Sequence, residues 1–371
     1  MMKVRSPGTA GAAFESDGNV HFPRPESGDP GLKRKILHRA QQALYLSGLA
    51  GINARLASPE GALILYYHSI VDDELSAFVD PANALTKRQF ETQLRYLKKH
   101  CQVISFADMM DCFKNREKLP ERAAVITFDD GYLDNLTIAA PLLQKYGLPT
   151  TLFLCTGYVE RREAQWIDEL YTLFSWRTRH MLEIPDCGGS YDLGQKDQLQ
   201  SAYKAISTVL LGTGRESGRR LLSEINDKLQ PRRTGPQLTL GWDDVRQLKQ
   251  QYPLFEIGLH TRDHVDLTTL DEPEIRAELQ RCRDDYEKEL GAAARYFSYP
   301  YGRNSKLVRN CVKDAGFEGA LATQPTALAS NDSDRYALPR FETSPSNLDL
   351  KLWMTGSFPQ LSKRIFGRVY E

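Results

Sequence analysis

From residue 62 the chain alternates short apolar runs with helical patterns. "ALILYY" (62–67), "AAVITF" (123–128), "TTLFLC" (150–155), "FEIGLH" (255–260), "RYFSY" (295–299) and "EGALAT" (318–323) each predict a buried strand. Between them lie helical stretches. Residues 86–100 open with a capping box from Thr86 to Gln89 and set Phe90, Leu94 and Leu97 on one face. Residues 133–147 end at Gly147. Residues 271–291 start near Asp271 and align Ile275, Leu279, Cys282, Tyr286 and Leu290, and residues 305–316 form a shorter helix. Strand–helix alternation of this kind predicts parallel strands covered by helices. There is no internal repeat.

The alternation breaks between 159 and 240. "AQWIDELYTLFSWRTRHML" reads as an aromatic-rich helix, "DCGGSYDLG" as a loop, and 196–211 and 215–229 as further helices. This segment is expected to be an insertion forming one wall of a cleft, with Trp166 and Trp176 as residues that stack on a ligand or pack the insertion. A subdomain with a purely stabilising role is the alternative. The main domain is expected over 62–345. Before it come a Gly-, Pro- and Ser-rich segment (1–31), expected to be mobile, and a basic amphipathic stretch (32–61). A tail follows over 346–371. Residues 32–56 read either as a helix packed on the domain or as a peripheral contact with an anionic membrane.

Composition narrows the classes. The chain has 371 residues, with 48 basic and 48 acidic side chains, and no long basic block, which argues against a nucleic-acid partner. Its six cysteines form no CxxC pair and read as reduced thiols. No run reaches the roughly 18 apolar residues of a membrane span, and the first residues lack an apolar signal core. The expected location is therefore cytoplasmic.

The chemistry sits at strand ends. "TFDDGY" (127–132) places Asp129 and Asp130 side by side with Gly131 behind them, and "HTRDH" ends another strand with His260 and His264. In a parallel barrel such positions face the active site. Two imidazoles and one carboxylate make a three-ligand site with open positions, as in catalytic zinc centres. A divalent cation on Asp130 would let Asp129 stay ionised beside it and accept a proton from water. Taken singly, Asp-Asp-Gly is commonly a turn and a lone His-x-x-x-His is commonly structural. Their conjunction at strand ends, with "FSYPYG" ending a third strand, points to a site.

These segments resemble the polysaccharide deacetylases of carbohydrate esterase family 4, the NodB-homology family. Residues 127–131 match the family's TFDDG motif, and His260, Thr261 and His264 match its H-(S/T)-x-x-H motif. The resemblance spans about residue 62 to about 343. It implies an α/β fold, a distorted barrel of seven or eight strands with the helical insertion added. It implies Asp129 as general base, Asp130, His260 and His264 as ligands of a divalent metal, zinc above others, and N-deacetylation of an amino sugar.

The departures matter as much. The family's R-x-P-Y motif survives here as Pro300 and Tyr301, with Ser298 where the arginine stands. The resemblance gives the Tyr301 backbone N–H a role in holding the oxyanion and Pro300 a place at the substrate. The arginine that orients the base must come from elsewhere. Arg340 and Arg295 are the candidates, and Arg340 is preferred. "GWDDV" (241–245) resembles the Asp/Trp motif loosely, so Trp242 either lines the cleft or starts a capped helix. No histidine follows His264, so the general acid is assigned to His68, at the end of the first strand, with a buried structural histidine as the alternative. The expected substrate is an N-acetylated saccharide of a polysaccharide, oligosaccharide or glycoconjugate precursor. Rival readings are another amide hydrolase on this scaffold, an imidase or deformylase, or a carbohydrate-binding protein without catalysis.

Overall fold

The computed structural model describes residues 61–323 and 327–346, together with 350, 351 and 353. The expectations for residues 1–60, and for most of the tail, lie outside the described residues. Leu350 is nonetheless buried in the main core, and the Trp353 ring lies 5.3 Å from Phe341.

The strands are β1 (Leu63–Tyr67), β2 (Ser69–Val71), β3 (Ala84–Thr86), β4 (Gln102–Val103), β5 (Ala123–Asp130), β6 (Thr150–Leu154), β7 (Met181–Ile184), β8 (Gly189–Asp192), β9 (Phe255–Leu259), β10 (Tyr296–Ser298), β11 (Gly319–Leu321) and β12 (Phe341–Glu342). The helices are α1 (Lys87–His100), α2 (Phe106–Asn115), α3 (Ala140–Tyr146), α4 (Thr156–Arg161), α5 (Trp166–Ser175), α6 (Lys196–Leu211), α7 (Arg215–Leu229), α8 (Trp242–Gln251), α9 (Glu272–Leu290) and α10 (Lys306–Asp314). The predicted capping box is present on α1: Gln89 N–H donates to Thr86 Oγ1, and Thr86 N–H donates to Gln89 Oε1.

Eight strands form one curled sheet in the order β11-β10-β9-β6-β5-β1-β12, with β4 also paired to β5, and every pairing is parallel. Parallel strands covered on both sides read as continuous apolar runs, and all eight residues of β5 are buried. The far edges are brought together by one late segment. Leu338 bonds to β11 through Ala320 and Ala322, and three residues later Phe341 pairs with Leu65 of β1. Arg340 lies between these two attachments.

Register decides what shares a rim. Asp130 pairs with Leu154, Leu154 with Leu259, and Leu259 with Phe297. The residues at or just past that row, including Asp130, Cys155, His260 and Ser298, therefore meet at the C-terminal end of the sheet. Inside the curl Ile64, Val125, Phe153, Tyr296 and Leu321 pack against Phe106 and Met109 of α2. Strand alternation puts Tyr66 and His68 on the face of Ile64, and Thr127 and Asp129 on the face of Val125.

The insertion has its own core. α5, α6, α7 and the β7–β8 hairpin bury Leu170, Phe174, Leu182, Tyr203, Ile206 and Ile225 together. "DCGGSYDLG" was expected to be a loop, but its second half is strand β8, antiparallel to β7. Leu182 and Ile184 face the core while Met181 and Glu183 are exposed, the period of two that a strand requires. The separately packed unit spans Trp166 to Leu229, whereas Val159 and Leu240, at the ends of the expected insertion, belong to the barrel core. Asp168 fastens the unit: it accepts from the Tyr132 hydroxyl at 2.6 Å and from the Asp80 N–H at 2.8 Å. Among the described residues, no helix is long and apolar enough to cross a membrane.

Candidate active site

Strand alternation would send Asp130 to the opposite side from Asp129. A left-handed backbone at Asp130 (φ 74°) followed by Gly131 (φ 86°) breaks the alternation, so both carboxyl groups reach one cleft. Only glycine fits behind them, because a Cβ at 131 would stand 2.9 Å from Leu154 Cδ2 as well as at positive φ. Thr261, His264 and Tyr301 are also left-handed, at φ 64°, 52° and 57°. Four such non-glycine residues around one cleft are strain held in place by the surrounding fold.

Asp130, His260 and His264 converge. His260 Nε2 and His264 Nε2 lie 3.7 and 3.5 Å from Asp130 Oδ1. His260 Nδ1 is 2.8 Å from the Ser298 carbonyl, which can only accept, so Nδ1 carries the proton and Nε2 presents a lone pair to the cluster. Three lone-pair atoms thus face one another. Ligands at about 2.1 Å from a tetrahedral ion stand about 3.4 Å apart, close to the separations seen. Burial lowers the affinity of both imidazoles for protons, His264 most, where His260 and His68 add to it. Burial, then Asp129 and Asp168, push the Asp130 carboxyl well above the usual carboxylate range. Neutral imidazoles and a carboxyl that needs a nearby positive charge to ionise are the donor set a divalent cation fits.

Arg340 is buried and faces Asp129. Its Nη1 and Nη2 donate to the two Asp129 oxygens at 2.8 and 2.7 Å, and Nη2 also donates to Ser298 Oγ at 2.8 Å. Burial alone would raise the Asp129 pKa, but the charge of Arg340, helped by His260 and by the hydrogen bonds, holds it well below the usual range. Ser298, at the motif's arginine position, is short enough to leave the guanidinium room and supplies it an acceptor. Arg295 is elsewhere: half-exposed, it forks to Glu318 at 2.7 and 3.0 Å.

His68 follows directly on the pairing of Tyr67 with Phe128, level with Asp129, and lines the same cleft. Its carbonyl accepts from Asn135, and its ring meets Tyr66 edge-on at 5.6 Å. The cleft, about 320 Å³, is also walled by Tyr301, whose ring stands edge-on to His264 at 4.7 Å. Two expected substrate contacts are corrected. Trp242 is buried in the main core, its Nε1 donates to Glu160 at 2.8 Å, and it does not line the cleft. It starts α8, where Gly241 N–H is capped by Asp244 at 2.8 Å, the alternative the sequence left open. Pro300 is buried outside the cleft lining and starts the short turn that presents Tyr301. Trp176 is likewise packing: it stacks on Phe78 and donates to the Ala77 carbonyl.

Sequence reasoning missed Tyr66, Asp80 and Gln165, which also line the cleft, and Cys155, whose thiol lies 3.8 Å from Asp130 Oδ1. Tyr66 was within reach, since it shares a strand face with His68. Gln165 carried no signal, because nothing in an amide's neighbours along the chain says that it will face a cleft.

The model of the polysaccharide deacetylase family matches residues 116–320. A Bacillus subtilis protein, YxkH, whose name places it among polysaccharide deacetylases, is 22% identical over 337 residues, 90% of this chain and 88% of that one. The poly-β-1,6-N-acetyl-D-glucosamine N-deacetylase of Staphylococcus aureus is 34% identical over 77 residues, 20% of this chain and 26% of that one. Two solved structures share the fold. The Streptococcus pyogenes deacetylase PplD in complex with acetate has a TM-score of 0.53 at 18% identity, covering 80% of this chain and 99% of that one. IcaB from Ammonifex degensii has 0.52 at 18% identity, covering 81% and 98%. With the family model spanning more than half of its length, the chain belongs to the polysaccharide deacetylase family, hydrolases of non-peptide carbon–nitrogen bonds.

Proposed function

We propose that the protein is a metal-dependent N-deacetylase that removes the acetyl group from an N-acetylated amino sugar of a polysaccharide, oligosaccharide or glycoconjugate precursor. The observation that carries this is the convergence of Asp130, His260 and His264 beside an arginine-held Asp129 in one cleft. The S. aureus relative, named for N-deacetylation of poly-β-1,6-N-acetyl-D-glucosamine, makes N-acetylglucosamine the first sugar to test.

Asp130, His260 and His264 would hold the cation, and two imidazoles with one carboxylate suit zinc. When bound, it supplies Lewis acidity toward the acetamide carbonyl and toward water. Asp129 removes the proton from the attacking water. Arg340 keeps that carboxylate ionised and aims both of its oxygens. Tyr301, beside His264, offers its backbone N–H to the carbonyl oxygen as it gains charge. His68, level with Asp129 on the next strand, gives a proton to the departing nitrogen, because an amine leaves poorly unless protonated. The products are acetate and a free amino sugar.

The test is acetate release from N-acetylglucosamine oligosaccharides by protein stripped of metal and then reloaded with zinc. Activity that disappears on stripping and returns with zinc is expected. Undiminished activity after exhaustive chelation refutes the metal reading. Turnover of cyclic imides with none of acetamides would favour the imidase reading, and tight sugar binding without acetate release would favour a non-catalytic one.

A further inference from the structure

The cleft does not stop at the cluster. A second cavity of about 360 Å³ adjoins it, and the two share Trp166, Leu211, His264 and Tyr301 in their walls. Each lies near the lower end of the roughly 300–1,000 Å³ of small-ligand sites, so neither alone accommodates more than a short saccharide. His264 and Tyr301 belong to the reacting centre, whereas Trp166 and Leu211 come from the insertion. Trp166 opens α5, is only partly buried, and lines both cavities where they meet.

The residue before it adds an independent observation. Gln165 lines the cleft, is 4% exposed, and its carboxamide nitrogen is buried with no hydrogen-bond partner. An unmade bond of this kind is costly to leave, and an oxygen of a ligand seated in the cleft would supply the acceptor it lacks. Aromatic plane, apolar Ile167 and Leu211 beside it, and an unfilled amide donor together match one ligand class. A pyranose presents an apolar face of C–H groups to a ring and hydroxyl or ring oxygens to a donor at its edge.

We infer that the insertion builds a sugar subsite from Trp166 and Gln165, which holds the unit adjacent to the one that loses its acetyl group, so that the protein favours sugars with a neighbour on the insertion's side. This rests on the deacetylase reading above. It assigns the insertion a role in choosing chain length, and Trp166 and Gln165 are specificity-determining rather than catalytic.

The test compares β-1,6-linked N-acetylglucosamine oligomers of one to five units with the zinc-loaded full chain, reading acetate release and locating each free amine by mass spectrometry. The wild type should gain at least about 10-fold in kcat/KM from monomer to tetramer and should leave unmodified the terminal unit that has no neighbour on the subsite's side. Trp166→Ala should raise KM for the tetramer about 10-fold with kcat nearly kept, the signature of lost uniform binding, and so shrink the advantage of tetramer over monomer. Trp166→Phe should recover most of the loss, and Gln165→Met should raise the tetramer KM alone. An unchanged circular-dichroism spectrum and retained zinc report that each variant is folded. Equal rates at all lengths, or equal losses on monomer and tetramer in Trp166→Ala, would overturn the subsite while leaving the deacetylase reading intact. No acetate from any oligomer would overturn both.

Discussion

Arg340→Met gives the sharpest test of how the centre is held. Methionine keeps length and apolar bulk but removes the charge and every donor. The structure sets the size of the effect. Arg340 makes two hydrogen bonds to Asp129 and one to Ser298, all below 3 Å and all buried. Removing one partner of a buried ion pair strands the other charge, at a cost of about 3–5 kcal/mol. Against a total stability of about 5–15 kcal/mol the variant should fold but unfold measurably sooner in urea. Asp129→Asn should also destabilise, because it strands the guanidinium. The double variant buries neither charge, so it should be more stable than the two single losses predict, by about 2 kcal/mol. Turnover adds a second readout. In the wild type Arg340, together with His260, more than offsets burial and keeps Asp129 ionised. Without it burial raises that pKa, the base form exists only above the raised value, and the acid limb of kcat/KM should move to higher pH. Urea unfolding of the four proteins and pH profiles of acetate release measure both. Single losses that add to the double within about 0.5 kcal/mol, with an unmoved acid limb, would refute the argument.

Other outcomes follow from the same geometry. His260→Ala, His264→Ala and Asp130→Asn should each lose zinc by elemental analysis, while Asp129→Asn retains it and loses roughly 10²–10⁴-fold in turnover; equal zinc loss in all four would erase the distinction between the aspartates. His68→Ala should keep zinc and lose roughly 10²–10⁴-fold on an N-acetyl sugar but far less on an activated aryl acetate, whose leaving group needs no proton; equal losses on both would make His68 structural. Trp242→Phe should reduce stability through the lost bond to Glu160 and leave KM per folded molecule unchanged; a raised KM would return Trp242 to the substrate. Burial raises the Asp168 and Asp134 carboxyls to about 7 against hydrogen bonds that lower them. A carboxyl raised in the folded state binds its proton more tightly there than in the unfolded chain, so each costs stability as pH climbs from about 4 to about 7. Asp168→Asn should therefore make the fall in melting temperature over that window shallower, and an unchanged slope would show that Asp168 does not titrate there.

Much of this site could be read along the chain because strand ends are local features. β1, β5, β6, β9, β10 and β11 announce themselves as apolar runs, and α6 and α7 begin and end where the spacing places them. Asp129, Asp130, His260 and His264 were visible because each follows such a run. What escaped depends on contacts far apart in sequence. β12 has two residues, too few for a period, and α2 gives mixed signals with Phe106, Met109 and Met110 between acidic and basic neighbours. The hairpin β7–β8 was hidden by its two central glycines, which suit a loop as well as a turn between strands. Trp242 misled because a tryptophan near a motif looks the same whether its ring meets a ligand or Glu160. The pairing of Arg340 with Asp129 was inferred from a vacancy, the serine at 298, rather than from any pattern around Arg340 itself.

The late segment that joins the two edges of the sheet also sets an order of events during synthesis. Asp129 and Asp130 leave the ribosome well before either histidine, and Arg340 comes last. Until residues 338–341 have attached to β11 and β1, Asp129 lacks the guanidinium that grips both of its oxygens. A nascent or clipped chain that stops short of this segment would own all three cation ligands yet lack the arginine that arms its base. On the proposed mechanism such a chain would bind the cation without an aimed base, and closing the ring of strands would be the step that completes the site.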